Sequence, residues 1–539
     1  MMSRHAACAL NALVVSACVA AAACSTPSGE SGPPAAEKAN APAPSADGLP
    51  LPFLRWPVLP GNEAYAAIDG KHLHQYVVDQ AMISRRYRDS GHPQSWGRLV
   101  GTSGDEESIQ WFLDKYKQLG LTDVHAQVLD LAPKWFRQSW EVSVTAGGKT
   151  MSLASARPGY RGPPTPPAGL DLEVVNAGAG SEADFGGRDV RGKAALIFSV
   201  FGVGPAKGAL ERAEAKGAAA ILNVNGIPGN LQLEYTSGNK IPNFSLGTDD
   251  GNQLRELIGE RPGGKAPRVT LKADAKEIAN LKSANVWGTL PGATDETIYI
   301  LAHRDGWFDA AIDNGSGIAV QIGLAEYFAK IPQAERRRTI VFLATDGHHA
   351  PSERTEDDPT GEGGEGEGRT LLRLDGERGG SLFAKTALFL NCEHPAAIDL
   401  AIGPRGLLGS NAVLPNQWYG GGPSRPKLQA LVARVFAEFG VAMQAEPTGQ
   451  KPPFGELGFF YHITPGVEAE ALGFHYFHTD QDSPEAVPWT GLESAARAYA
   501  KIVDEVNKID LKDLKGPREP RPDELMPEAV ERATKQPKS

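Results

Sequence analysis

At 539 residues the chain is longer than one ordinary domain, so two folded units plus tails are expected. With 41% hydrophobic and 22% charged residues it has the material for a sizeable core, which excludes global disorder. The formal charge of −11, with no basic patch, argues against nucleic acid as a partner.

The first residues, "MMSRHAACALNALVVSACVAAAACSTPSGE", combine Arg4, an apolar stretch and a small-residue site ending at Cys24. Residues 1–24 therefore read as an export signal. "AAAC" resembles a bacterial lipobox, with alanine three residues before the cysteine where leucine is commoner. That resemblance implies lipidation at Cys24, with an ordinary secretory signal cut nearby as the alternative. Under the bacterial sorting pattern, Ser25 in place of an aspartate directs such a lipoprotein to the outer membrane, facing the periplasm. The four cysteines are Cys8, Cys18, Cys24 and Cys392, so after processing no disulfide framework is expected. No other stretch approaches the roughly 20 apolar residues of a spanning helix, and a lipid at Cys24 is the expected membrane contact.

Residues 25–65 are rich in Pro, Ala, Ser and Gly and read as a flexible tether. "WFLDKYKQLGL" carries apolar residues at helical spacing and stops at Gly120. A β-rich stretch follows. "DVRGKAALIFSVFG" predicts a turn into a buried strand, and "ALERAEAKGAAAILNVNG" predicts a helix, a stop at Gly217 and a second strand. "KIPNFSLGTDDGNQLRELI" predicts a strand, a turn and a helix start.

From residue 284 strands and helices alternate: "TIYILAHRD", "SGIAVQIGLAEYFAKI", "RTIVFLATDG", "TALFLNCEHP", "KLQALVARVFAEFG" and "LESAARAYAKIVDEVNKI". The pattern predicts an α/β fold, a largely parallel mixed sheet flanked by helices. Residues 351–380 are acidic and glycine-rich and read as a long loop. Residues 511–539 read as a disordered tail.

Polar residues collect where each apolar strand stops. "ILAHRDGWFDAAIDNGSG" supplies His303, Asp305 and Asp313, "TDGHHAP" supplies His348 and His349, and "LNCEHP" supplies Glu393 and His394. "FHYFHTDQDSP" adds His475, His478, Asp480 and Asp482. In open α/β sheets ligands bind outside the carboxyl ends of the strands. Imidazoles and carboxylates gathered there suit Zn²⁺ or a similar borderline cation. A lone histidine or acid is more often a hydrogen-bonded or solvated residue. Four such clusters in one half of the chain are harder to explain that way.

"AHRD…IDNGSG" with His303 and Asp313, together with a later "HTDQD", resembles the M28 family of co-catalytic zinc exopeptidases. The resemblance covers roughly residues 80–510, including "RLVGTSGDEESIQWFLDKYKQLGL". It implies a zinc exopeptidase fold over 66–145 and 276–510. The segment 146–275 is similar to the β-rich protease-associated (PA) domain often inserted in that family, an access or partner module without chemistry of its own. The resemblance further implies two Zn²⁺ per chain: Asp313 bridging both, His303 and Glu393 completing one, His349 and His478 the other. Asp305 would orient His303. His348 would stand in the position of the general base and take a proton from a metal-activated water. Most relatives carry two adjacent glutamates where this chain has His348 and His349, and an aspartate where it has Glu393. Register favours Glu393 as ligand, with its neighbour His394 left open. A peptide is the implied substrate and aminopeptidase action the leading activity. The alternatives are a non-catalytic, receptor-like peptide binder and a metallohydrolase of another amide.

Overall fold

The structure is a computed structural model that describes residues 54–199, 206–235, 238–349, 368–403, 406–444, 453, 455–471 and 475–518. The expected signal and Cys24 lie outside these residues. Two sheets organise the rest.

The larger unit is built on a seven-stranded sheet: β1 (Thr122–Asp130), β2 (Lys282–Leu290), β3 (Thr294–His303), β4 (Arg338–Thr345), β5 (Thr386–Asn391), β6 (Gln417–Gly420) and β7 (Gly466–Glu470). Its order is β6-β7-β5-β3-β4-β2-β1. The four central strands are parallel, and the antiparallel pairings lie towards the two edges. This is the expected largely parallel mixed sheet. Along β3, Ile298, Ile300 and Ala302 join one apolar cluster while Tyr299 and Leu301 join another. Both faces of the strand are therefore covered, which is why its sequence reads as a continuous apolar run.

On the first face lie α1 (Gly70–Asp89), α3 (Gly317–Ala329), α5 (Pro426–Phe439) and α6 (Trp489–Asn507), with α2 (Ser103–Gln118) against β2. The second face is capped by α4 (Gly368–Glu377), a short helix Ser381–Lys385 and the turn Glu456–Phe459. At Gly317 an added Cβ would stand 2.0 Å from the Cys392 carbonyl oxygen, so the glycine lets α3 begin directly against the end of β5.

The second sheet has eight strands, in the order 149–152, 134–146, 268–278, 170–176, 194–198, 220–224, 243–246 and 157–158. It packs its own apolar core, including Leu196, Leu222, Phe244 and Leu271, under the helix Thr248–Glu260.

Five expected boundaries shift. Strands 134–146 and 268–278 pair along their whole length, so the second unit starts before residue 146 and ends after 275. Residues 54–65 are docked rather than tether-like: Arg55 pairs with Glu493, and the ring of Tyr65 is buried against Phe439. Of the expected 351–380 loop, residues 368–377 form α4, with Leu371 buried. "RTLLRL" holds an apolar face that the surrounding Gly and Glu conceal in a compositional reading. Finally, Leu511–Lys515 is helical with Leu514 buried, so the ordered chain outlasts residue 510.

Candidate metal centre

Parallel strands end on one edge, and the polar residues at those ends meet there. His303 is the last residue of β3, His348 and His349 follow β4, and Glu393 follows β5. Gly347 adopts φ +90° between Asp346 and His348, a turn a side chain would resist, and it swings both imidazoles over the sheet edge. Asp313 arrives from the turn ahead of α3, where the N–H groups of Ile312 and Asp313 donate to the buried Asp482 carboxylate at 2.6 and 3.2 Å.

Asp313 is the hub. Its Oδ1 lies 3.1 Å from His303 Nε2 and 3.2 Å from His349 Nε2, and its Oδ2 lies 3.2 Å from His478 Nε2. His303 Nε2 is also 3.0 Å from Glu393 Oε1. Two compact ligand groups result, His303–Asp313–Glu393 and Asp313–His349–His478, with the ligand atoms of each within 4.8 Å of one another. His348 lies alongside, its ring stacked on His303 at 4.0 Å between centroids and its Nδ1 3.5 Å from Glu456 Oε1. His348 also groups with His303 and His349, and with Glu393 and Glu456.

Glu393 enters the cluster and His394 stands behind it, with Nε2 3.3 Å from Glu393 Oε1. Asp305 differs from expectation in detail. His303 Nδ1 meets the Asp305 carbonyl oxygen at 3.2 Å, while the carboxylate Oδ1 is 3.6 Å away. The other carboxylate oxygen accepts the His349 N–H at 2.7 Å. Asp305 thus fixes the ring of one histidine through its backbone and the loop of another through its side chain.

The electrostatics suit a cation. Burial disfavours charge on His303, but Glu393, Asp305 and Asp313 outweigh it and hold its pKa well above the usual range. Burial pushes His349 down to about 4 against the pull of Asp313, leaving a neutral imidazole ready to donate a lone pair. Asp313 and Glu393 resist the effect of burial because the surrounding histidines hold both well below the carboxylate range. Asp313 Oδ2 and His478 Nε2 face each other at 3.2 Å, both shielded from solvent and neither hydrogen-bonded. Two buried polar atoms facing each other outside hydrogen-bond geometry, beside a second imidazole, fit a metal ion.

Several contributors escaped the sequence reading. Glu468 and Glu470 of β7 are buried behind Glu393, and burial raises both, Glu470 to about 8. Two acids in the apolar strand "GVEAEA" were the available signal. Arg304 is buried between Asp105 and Asp346, and Arg98 holds the carbonyls of Arg304, Asp309 and Ala310. These arginines brace the loop that carries Asp305 and Trp307. A narrow cleft opens beside the cluster, lined by Asp305, Trp307 and His349 from one unit and Trp135, Arg137 and Tyr160 from the other.

The second unit also reaches a ligand directly. Leu233 pairs with Thr479 as an antiparallel bridge, Glu234 N–H donates to the His478 carbonyl at 2.8 Å, and Asp480 N–H donates to the Gln232 carbonyl at 3.2 Å.

Comparison with known proteins gives a consistent picture. Residues 285–365 match the model of peptidase family M28. Aminopeptidase YwaD of Bacillus subtilis (strain 168) is 28% identical over 261 residues, which is 46% of this chain and 51% of that protein. The chain thus spans about half the length of this curated relative. Among solved structures, a zinc aminopeptidase from Bacillus subtilis, BSAP, superposes with a TM-score of 0.54 at 18% identity, covering 83% of this chain and 98% of that one. A peptidase M28 precursor from Shewanella amazonensis gives 0.58 at 18% identity, covering 86% and 100%. At such identity these two structures speak for the fold.

Proposed function

We propose that the chain, whose residues 285–365 match the model of peptidase family M28, is a zinc-dependent exopeptidase of that family acting as an aminopeptidase on peptides. One observation carries the reading: two ligand groups share the single carboxylate of Asp313. Such a shared carboxylate can offer one oxygen to each of two cations. His303 and Glu393 would complete one site, His349 and His478 the other. When bound, paired cations polarise a carbonyl and lower the pKa of a water. His348 accepts the proton of the attacking water, and Glu456, 3.5 Å from its Nδ1, orients the ring. Asp305 keeps His303 and His349 in place. The cleft between Trp135, Tyr160 and Trp307 receives the peptide beside the cluster and limits water around it. We assign the second unit to a PA-type insert on the strength of its sequence signposts. Export, with a lipid at Cys24, is proposed from the first residues alone, and a Cys24→Ser chain that leaves the membrane fraction would support it.

The test is hydrolysis of a peptide panel by the zinc-loaded chain, each peptide with a free and an acetylated amino terminus. Release of the first residue from free termini only, abolished by chelation, is expected. Cleavage indifferent to acetylation would point to a different amide. Peptide binding without turnover would leave a receptor-like protein.

A further inference from the structure

His478 is the only one of the five candidate ligands placed by the second unit as well as by its own. Its backbone is left-handed, with φ +58°, a conformation a non-glycine residue adopts at a cost and keeps where its neighbours impose it. Those neighbours are residues 232–234. They bracket it with the Glu234 N–H on the His478 carbonyl and the paired Leu233–Thr479 bridge. The Asp480 carboxylate accepts the Gln232 N–H at 3.2 Å, closing the same join.

The bracket is itself rigid. The Glu234 side chain is 0% exposed and lies between two arginines of the second sheet, Arg137 and Arg157. Arg137 Nη1 and Arg157 Nε both donate to its Oε2, at 2.9 and 2.8 Å. Arg137 also donates to the Pro158 carbonyl at 2.8 Å. Arg157 crosses between the units, donating to the Gln94 carbonyl at 2.8 Å and lying 4.6 Å over the ring of Phe308. Ser245 Oγ donates to the Leu233 carbonyl at 2.8 Å and anchors the segment from behind. A buried ion knot therefore fixes the segment that fixes the His478 backbone.

We infer that the second unit completes one of the two cation sites, with Glu234 as a positioning residue for His478. The inference rests on the proposed two-cation reading and deepens it. The Asp313–His349–His478 site depends on the join at 232–234, whereas His303–Asp313–Glu393 is assembled wholly within the first unit. Anything that loosens the join weakens one cation and spares the other. The insert then acts on the chemistry through a ligand's backbone, and it does more than shape the approach of substrate.

Titration of the metal-depleted full chain with Zn²⁺, and with Co²⁺ followed by its visible spectrum, tests this. Wild type is expected to take up two ions. Glu234→Gln, which keeps the shape and removes the charge, should weaken one ion by about 10–100-fold and leave the other unchanged. His478→Ala should lose the same ion, and Glu234→Asp should recover part of the loss. Asp480→Ala, a milder cut at the join, should move in the same direction if Glu234→Gln does not fold. Unchanged affinity for both ions in Glu234→Gln and Asp480→Ala would overturn the inference. So would equal weakening of both, which would mark a global effect. A wild-type chain that binds no ion would instead overturn the proposed function.

Discussion

The two sheets each pack an apolar core, the first far larger than the second, and they contribute to the site in opposite ways. The first unit spends its strand ends on side chains: His303, His349 and Glu393 project from the carboxyl edge of parallel strands. The second supplies no side chain to either ligand group and grips the site through the backbone at 232–234 and through one wall of the cleft. A sheet whose strands all run one way concentrates its loops at one edge, so ligands converge there by construction. The second sheet has parallel strands too, and residues 232–234 follow the carboxyl end of strand 220–224, but what they offer the site is a rigid backbone and no ligand. Function can thus be placed by a unit that carries none of the reacting groups.

The sharpest way to break this contrast is at the hub. Asp313→Ala removes an oxygen from each ligand group, and zinc content should fall towards zero with activity down by about 10³-fold, as expected when several kcal/mol of charge stabilisation is lost. Retention of both ions, measured by elemental analysis after desalting, would refute the shared-carboxylate geometry. Next in size, His348→Ala should cost roughly 10²–10⁴-fold in turnover, the span of a general base, while both ions stay bound. Loss of an ion instead would make His348 a ligand.

Asp305→Asn keeps its carbonyl on His303 and weakens its grip on the His349 N–H. Zinc affinity should drop by about 10-fold, at the low end for groups that orient ligands. The second unit gives the complementary test. Leu222→Ala opens its core and should cost about 2–5 kcal/mol in a chemical melt. Cation affinity at His303–Asp313–Glu393 should be unchanged under native conditions.

The smallest effect is a pH slope far from the site. Burial, with Arg425 nearby, lowers Lys515 to about 8 from an ordinary value of 10.5. Between those values the unfolded chain holds a proton that the folded one has released, so stability rises as pH climbs from about 8 to 10.5. Below pH 8 the charged, partly buried ammonium opposes folding. Lys515→Met should flatten that part of the slope in melts compared across the window.

The strands and helices after residue 284 were legible because each is long and apolar at one clear period, and "SGIAVQIGLAEYFAKI" could hardly be anything but a helix. "RTLLRL" failed because its apolar face spans little more than one helical turn inside a polar, glycine-rich context, and only packing under β3 and β4 made it a helix. The unit boundary near 146 failed because the crossover between β1 and strand 134–146 is only Leu131, Ala132 and Pro133, too short a break to mark a change of unit. Glu234 carried no signal in its local sequence, since a sequence does not say which acids are buried.

By itself, then, the sequence determined the alternation of elements, the chemical type of each ligand and the strand end on which each sits, because periodicity and residue chemistry are local properties. Tertiary structure alone set the distances around Asp313, which the family resemblance had implied as the bridge, put Glu393 in the cluster with His394 behind it, and brought residues 232–234 of the other unit against His478. Those are distances between residues far apart in the chain, and only the packing of one sheet edge against another unit sets them.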